Sequence, residues 1–196
     1  PASVSVVIPT ATAVQAVERS GSVIFADALR LRGDAAALMA RTGIGAGAVV
    51  DGRLLQGKNG NACHIGHTII DTGEEGLPEC GCGDFGHVEA YASGTSIERD
   101  YGLPAREVFE KYEEGDARAV SVIEKAARIF ACALYNAAAL YDPGVILIGG
   151  GVSHAWPLAG PLVRDAFYSR FEPFTQNVVL ELSTLQNSLQ ELSALS

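Results

Sequence analysis

The sequence is poor in basic residues and in long apolar runs. Lys and Arg number 14 against 23 Asp and Glu, which gives a formal net charge of −9. An acidic surface repels phosphate backbones, so this balance argues against binding to nucleic acid. No uncharged apolar run approaches the roughly 18 to 20 residues of a membrane helix, and no basic start precedes an apolar stretch. We therefore expect a cytoplasmic protein that binds neither nucleic acid nor membrane.

Cysteine is scarce as well, since the 196 residues contain four. Two disulfides are possible with that number, but Cys80 and Cys82 are separated by one residue and lie among glycines and histidines. Such a cluster favours metal binding over disulfide bonding. What the sequence does contain in quantity is apolar residues, at 48%, and 22 glycines. This composition is typical of a folded domain with many tight turns.

Alternating strand and helix patterns along the chain predict an α/β protein with a central sheet. Residues 37–55 predict two or three strands, and the Asp51-Gly52 pair between two apolar runs predicts a hairpin turn. Asp116 is predicted to cap a long helix whose apolar residues recur every three or four positions to Tyr141, and Pro143 ends it. The other predicted strands are residues 3–8, 22–25, 145–148 and 178–182, and the other predicted helices are residues 10–19, 104–113, 155–171 and 185–195.

Residues 57–94 are dense in Gly, Cys, His and Asn, and only residues 68–70 resemble a strand. A stretch of this length without regular structure is usually functional or is held by something other than a core. Two imidazoles and two thiolates form the ligand set of a closed tetrahedral zinc site, and this stretch offers them at His67, Cys80, Cys82 and His87. The alternative is a pair of buried thiols beside surface histidines. A bound zinc would be structural, because its binding free energy would contribute to folding of the loop.

Two glycine clusters are candidates for phosphate binding. The segment from Thr42 through Gly43 to Gly47 could present consecutive N–H groups and a hydroxyl to an anion, or it could be a strand kink or packing device. The cluster Gly149, Gly150 and Gly151 follows an apolar strand and precedes a helix, which is where open α/β sheets bind nucleotides. A tight strand-to-helix turn is the alternative there. Together the two clusters favour a nucleotide cleft.

Four blocks of the sequence, in this order and spacing, resemble the ROK family of sugar kinases and repressors: TGIGAGAVVDGRLLQGKNGNA, IGH, CGCGDFGHVEAYASG and DPGVILIGGGVS. The resemblance covers about residues 22–196 and is greatest to archaeal glucokinase-like members. It implies a hexokinase-like, actin-like ATPase fold of the ribonuclease H-like type, mainly its larger C-terminal lobe. Residues 1–36 would then be a remnant of the smaller N-terminal lobe. Residues 37–196 would be the larger lobe, with the zinc loop at about 61–94.

The resemblance also implies an activity: ATP-dependent phosphorylation of a hexose hydroxyl, with glucose to glucose 6-phosphate as the expected reaction. Mg²⁺ would accompany ATP, Zn²⁺ would be structural, and a homodimer or larger homo-oligomer is expected. A carboxylate must accept the proton of the attacking hydroxyl. Asp27 matches this general base, although it could instead cap a helix, and Asp34 is the rival candidate.

Further site residues follow from the same resemblance. His67 would both ligate zinc and reach the sugar, with Cys80, Cys82 and His87 as the other zinc ligands. Glu89, and the residue at position 64, would bind sugar hydroxyls. The residues implied in contacts with phosphate and nucleotide are Thr42, Gly43, Gly149, Gly150 and Gly151.

The chain departs from the family pattern at several positions. It has no Asp-x-Gly-x-Thr phosphate loop, Ala26 stands where the family has a sugar-binding Asn, and His64 stands where it has a sugar-binding Glu. The alternative is the sugar-sensing domain of a ROK-type transcriptional repressor, which shares the fold and the zinc loop, and His64 favours it. A zinc-stabilised structural domain without activity is the third hypothesis.

Overall fold

The structure, a computed structural model, describes residues 35–40, 43–50, 53–73 and 76–182. The strands predicted at 3–8 and 22–25 and the helices predicted at 10–19 and 185–195 lie outside the described residues. The site candidates Asp27, Asp34 and Thr42, and the substituted position Ala26, also lie outside the described residues.

A five-stranded mixed sheet forms the centre of the described chain, in the order β3-β2-β1-β4-β5. β1 pairs antiparallel with β2 and parallel with β4, and β4 pairs parallel with β5. β2 and β3 pair antiparallel, with Val50 opposite Arg53, which confirms the predicted hairpin pairing; the turn residues 51–52 lie outside the described chain. The strand bounds are Ala35–Ala40 (β1), Ile44–Val50 (β2), Arg53–Leu54 (β3), Val145–Gly149 (β4) and Val179–Leu182 (β5).

Five α-helices and two 3₁₀ turns complete the described elements. The helices are Glu89–Ala92 (α1), Gly94–Tyr101 (α2), Ala105–Glu113 (α3), Ala117–Tyr141 (α4) and Val152–Tyr168 (α5), and the 3₁₀ turns are Ile65–His67 and Glu172–Phe174. Strands β1, β2 and β3 are antiparallel neighbours, whereas β1, β4 and β5 are parallel and are joined through helices. This is the α/β architecture that the sequence predicts.

The long helix α4 organises the core. The Asp116 carboxylate accepts the Ala119 N–H at 2.8 Å, and Asp142 ends the helix in the left-handed conformation before Pro143. This confirms the predicted cap and stop. The buried side of α4 packs with α5, β4 and β5 in one apolar cluster that includes Phe130, Leu134, Ile146, Ile148, Val163, Phe167 and Leu180. Despite its 25 residues, neither α4 nor another helix of the described chain is apolar enough over its length to cross a bilayer.

Several predicted element bounds are wrong. α5 starts at Val152 rather than at 155, because Ser153 N–H and His154 N–H already donate to the carbonyls of Gly150 and Gly151. It ends at Tyr168 rather than at 171. Residues 57–94 also contain regular structure, since α1 lies inside that range and α2, which was not predicted, begins at Gly94.

The first glycine cluster is mostly strand. Gly45 and Gly47 lie inside β2, and only Gly43 precedes it. The strand interpretation of these glycines is therefore correct for the part of the cluster that follows Gly43.

Candidate metal centre

The candidate zinc loop, about residues 61–94, is called the metal loop below. Its first half is packed against strand β2. Ile65 is buried, and Gly66 lies so close to β2 that a Cβ there would overlap the carbonyl oxygen of Ile44. The His67 N–H donates to the His64 carbonyl at 3.0 Å, which closes the 3₁₀ turn. A residue without a side chain is required at 66 because backbone touches backbone. The turn thus holds His67 at a fixed place beside β2.

A short backbone pairing brings the second histidine to the first. The N–H groups of Ile70 and Asp71 donate to the Gly86 carbonyl at 2.9 and 3.3 Å, and Val88 N–H donates to the Thr68 carbonyl at 3.1 Å. Residues 68–70, predicted as a strand, make only a single bridge between Ile69 and His87. The pairing is nevertheless sufficient to place the rings of His67 and His87 with centroids 5.3 Å apart.

A tight turn presents the two cysteines. The Gly83 N–H donates to the Cys80 carbonyl and the Cys80 N–H to the Asp84 carbonyl, both at 2.8 Å. Cys80 is buried and Cys82 is exposed. The Cys82 Sγ lies 3.4 Å from the Nδ1 of His87.

These three pieces of backbone assemble the predicted ligand set. One ligand atom from each of His67, Cys80, Cys82 and His87 lies within 4.8 Å of all the others. A tetrahedral zinc ion with bonds of about 2.0 to 2.3 Å requires ligand separations of roughly 3.3 to 3.8 Å, so small movements would close the site. The Nδ1 of His67 is buried and has no hydrogen-bond partner in the described chain. A metal ion would satisfy that atom, and the residues therefore fit a zinc ion.

Burial raises the pKa of the Cys80 thiol to about 11, and the nearby Cys82 thiol and Glu89 carboxylate add to the rise. Metal ions bind the thiolate rather than the thiol. Zinc would therefore have to displace a proton from Cys80, and loading of the site should become easier as the pH rises.

The predicted sugar-binding residues lie around the same loop. His64 is exposed, and its ring centroid lies 5.7 Å from that of His67. Glu89, the first residue of α1, accepts the Ile44 N–H on Oε2 at 2.7 Å, and its Oε1 lies 3.6 Å from the Cys80 Sγ. The structure thus brings His64 and Glu89 into contact with the metal-ligand cluster. One oxygen of Glu89 is already engaged by backbone.

The two glycine clusters lie at the same end of the sheet's strands. In the strand register Met39 stands opposite both Gly45 of β2 and Gly149 of β4. Gly43, just before β2, and the turn after Gly149 therefore lie at the same end of the sheet. Gly149 ends β4, Gly150 has φ +80°, and Gly151 stands at the start of α5, which is the predicted strand–turn–helix arrangement.

The hydrogen-bonded pair of Asp71 and Tyr91 was not identified in the sequence analysis. The Tyr91 hydroxyl donates to Asp71 Oδ2 at 3.0 Å, and Asp71 Oδ1 accepts the Gly73 N–H at 3.0 Å. The Gly73 N–H and Tyr91 bonds lower the pKa of Asp71, whereas burial and Asp71 raise that of Tyr91 to about 12. The Asp-Thr-Gly sequence is typical of a turn closed by an Asp side chain and was the available signal.

A second missed feature is the conformation of Cys63, the residue before His64. Cys63 is buried and has φ +64°, which is uncommon for a residue with a side chain, and its carbonyl accepts the Ile65 N–H at 2.7 Å. Tyr141, at the end of α4, lies beside this cysteine; burial and the Cys63 thiol raise the pKa of Tyr141 to about 12. Nothing in the sequence pattern links residues so far apart.

Comparisons with known proteins agree with this geometry. A model of the ROK family matches residues 33–191. Among curated relatives, the glucokinase of Aeropyrum pernix is 40% identical over 57% of this chain and 41% of its own length. The N-acetylmannosamine kinase of Citrobacter koseri is 36% identical over 78% of this chain and 52% of its own length.

Solved structures give the same result. The ROK hexokinase of Thermus thermophilus has a TM-score of 0.69 and 32% identity, and the match covers 78% of this chain and 52% of that one. A ROK family transcriptional regulator homologous to the E. coli MLC protein has a TM-score of 0.63 and 27% identity, covering 76% of this chain and 41% of that one.

The chain spans about half the length of the curated relatives that it matches. The predicted hexokinase-like, actin-like ATPase fold is confirmed by the likeness to solved ROK sugar kinases. The family model covers most of the sequence, from residue 33 to residue 191. The chain belongs to the ROK family.

Proposed function

We propose that the protein carrying this chain is an ATP-dependent hexose kinase. One observation carries the proposal. Gly43, the Gly149–Gly151 turn and the Glu89 carboxylate all lie at the same end of the sheet. Glycine turns suit a nucleotide phosphate, and a carboxylate with imidazoles suits sugar hydroxyls. Curated relatives named glucokinase and N-acetylmannosamine kinase support the same reaction class.

The residues would divide the work between acceptor and donor. His64, His67 and Glu89 would orient the sugar, while N–H groups of the glycine turns and Mg²⁺ would hold the phosphates of ATP. Asp27 would accept the proton of the attacking hydroxyl as the γ-phosphoryl group moves. Bringing the two substrates into line is the main contribution of such a site, because phosphoryl transfer requires little covalent chemistry from protein groups.

A zinc ion held by His67, Cys80, Cys82 and His87 would have a structural role. It would cross-link the cysteine turn to the two histidines that the backbone pairing already positions.

We infer the same domain division as the sequence suggests, with residues 37–196 as the larger lobe and 1–36 as part of the smaller one. A homodimer or larger homo-oligomer is the proposed assembly. Glucose is the proposed acceptor, and N-acetylmannosamine is the principal rival.

A coupled ADP-release assay on the complete protein tests the activity. Glucose, mannose, fructose, N-acetylglucosamine and N-acetylmannosamine are supplied one at a time with Mg²⁺ and ATP. We expect turnover with at least one of them, and the ratio of kcat/KM values identifies the acceptor. Absence of ADP release with all five, from protein that contains its zinc, would remove the proposal.

The second candidate is the sugar-sensing domain of a repressor, which the likeness to the ROK transcriptional regulator favours. His64 in place of a sugar-binding Glu is consistent with it, whereas the net charge of −9 is not what DNA binding favours. Sugar binding measured by calorimetry, without ADP release, would support this candidate. Retention of an operator DNA by the complete protein, released by sugar, would complete the case.

A further inference from the structure

Strand residue Ile44 is held from both sides by the metal loop. Its N–H donates to Oε2 of Glu89 at 2.7 Å, and its carbonyl is in van der Waals contact with the backbone of Gly66. Glu89 and Gly66 lie on two separate segments of the loop, α1 and the 3₁₀ turn. The position of the backbone of Ile44 therefore depends on the loop, although Glu89 lies 45 positions further along the chain.

The turn before Ile44 is shaped to admit the carboxylate. A Cβ at Gly43 would overlap Oε2 of Glu89, so a side chain there would displace the carboxylate from its present position on the Ile44 N–H. Ile44 itself is buried. A hydrogen bond that a carboxylate accepts from a backbone N–H is about twice as strong as one between neutral groups. The bond between Glu89 and Ile44 should therefore restrain the strand end strongly.

The same glutamate is tied to the metal ligands. It follows His87 by two residues, and the Ala90 N–H beside it donates to the His87 carbonyl at 3.0 Å. Its second oxygen, Oε1, lies 3.6 Å from the Sγ of Cys80. A shift of His87 or Cys80 would therefore displace the carboxylate from the turn.

We propose that Glu89 is a positioning residue for the phosphoryl donor: it holds the Gly43–Ile44 turn in place from the metal loop through Oε2. The proposal rests on the proposed kinase function, in which that turn contacts the phosphates of ATP. A sugar hydroxyl would be left with Oε1. One side chain then ties the acceptor side of the site to the donor side.

The test compares Glu89→Ala and Glu89→Gln with Glu107→Ala, which removes an exposed carboxylate from α3. Amide hydrogen exchange at Ile44 is measured in the complete, zinc-containing protein. We expect exchange at Ile44 to accelerate about tenfold or more in Glu89→Ala and less in Glu89→Gln, whose amide oxygen can still accept. Glu107→Ala should leave exchange at Ile44 unchanged.

Steady-state kinetics then separate positioning from sugar binding. A residue that only binds sugar would raise the KM for the sugar, whereas a positioning residue should also raise the KM for ATP or lower kcat, by about tenfold. Glu89→Leu, which is similar in size and cannot accept a hydrogen bond, replaces Glu89→Ala if the latter fails to fold. Exchange at Ile44 that stays within twofold in folded Glu89→Ala or Glu89→Leu, or an unchanged KM for ATP and kcat in that variant, would overturn the proposal.

The two proposals fail separately. If the wild-type protein releases no ADP but exchange at Ile44 depends on Glu89, the kinase function and the donor role fail while the link stands. If the protein is an active kinase and Glu89→Ala affects only the KM for the sugar, the function stands and the positioning role is wrong.

Discussion

Replacing Gly86 by alanine should unseat His87 from the candidate metal centre. Gly86 has φ +75°, and a Cβ there would overlap the carbonyl oxygen of Asp71. Its own carbonyl accepts the N–H groups of Ile70 and Asp71 at 2.9 and 3.3 Å. A side chain at this position must therefore push the two paired segments apart.

The expected cost follows from these contacts. A left-handed conformation costs alanine about 1 to 2 kcal/mol relative to glycine. Separating the segments would weaken two backbone hydrogen bonds, each contributing about 0.5 to 1.5 kcal/mol. Gly86→Ala should therefore destabilise the loop by roughly 2 to 5 kcal/mol. Gly83→Ala is the control, because Gly83 has φ +89° but nothing within 4 Å of its Cβ position; it should cost only the conformational part, about 1 to 2 kcal/mol.

Both variants are compared for zinc affinity by competition with a chelator, and for stability by urea denaturation. If the free energy lost in Gly86→Ala is lost at the metal site, this variant should bind zinc about tenfold or more weakly than Gly83→Ala does. The reason is that about 1.4 kcal/mol corresponds to a factor of ten in affinity. Equal losses in the two variants would refute the reasoning, since they would assign the cost to backbone conformation alone.

Three further outcomes can be measured on the same protein. Cys80→Ser should abolish stoichiometric zinc in elemental analysis and Cys132→Ser should not, because Cys80 belongs to the ligand cluster and Cys132 does not. Tyr91→Phe should cost about 1 kcal/mol in urea denaturation below pH 10. The pKa of Tyr91 is raised to about 12 from an ordinary 10, so this wild-type advantage should disappear as the pH rises from 10 through 12, and a constant difference would contradict it. Ser93→Ala should lower the free energy of unfolding by about 1 kcal/mol, because Ser93 Oγ caps α2 by accepting the Ser96 N–H at 3.1 Å; an unchanged value would show that the cap contributes nothing.

Elements with strong local signals were predictable from the sequence. Helix α4 has a capping Asp116, an apolar repeat over seven turns and a stop at Pro143, and each of these signals is local. The β2–β3 pairing follows from the Asp-Gly pair. The four metal ligands could be named because few residue types bind zinc and their spacing is short.

Other elements carry weak or conflicting local signals. α2 has eight residues, begins with glycine and buries only Ser96 and Ile97, so propensity gives its start no clear signal. The glycines of β2 suggest a loop, yet pairing with β1 makes them strand. The contacts of Ile44 with Gly66 and Glu89 join residues distant in sequence, and only the folded backbone brings them together.

Core packing with backbone hydrogen bonds holds one part of the metal loop, and a bound metal ion would hold the other part. Ile65, Gly86, His87 and Val88 are buried, and backbone bonds between residues 68–71 and 86–88 place the two histidines without help from a ligand atom. Residues 81–85 are exposed, and the described backbone bonds of the cysteine turn are local to it. Cys80 is buried as well and packs with Ala90 and Tyr91. A metal ion would therefore recruit Cys82 and its exposed turn to ligands that the core already positions. The expectation that metal shapes all of residues 57–94 is too broad, because the side that carries His67, Cys80 and Glu89 is part of the folded core, and the stabilisation from zinc should fall mainly on residues 81–85.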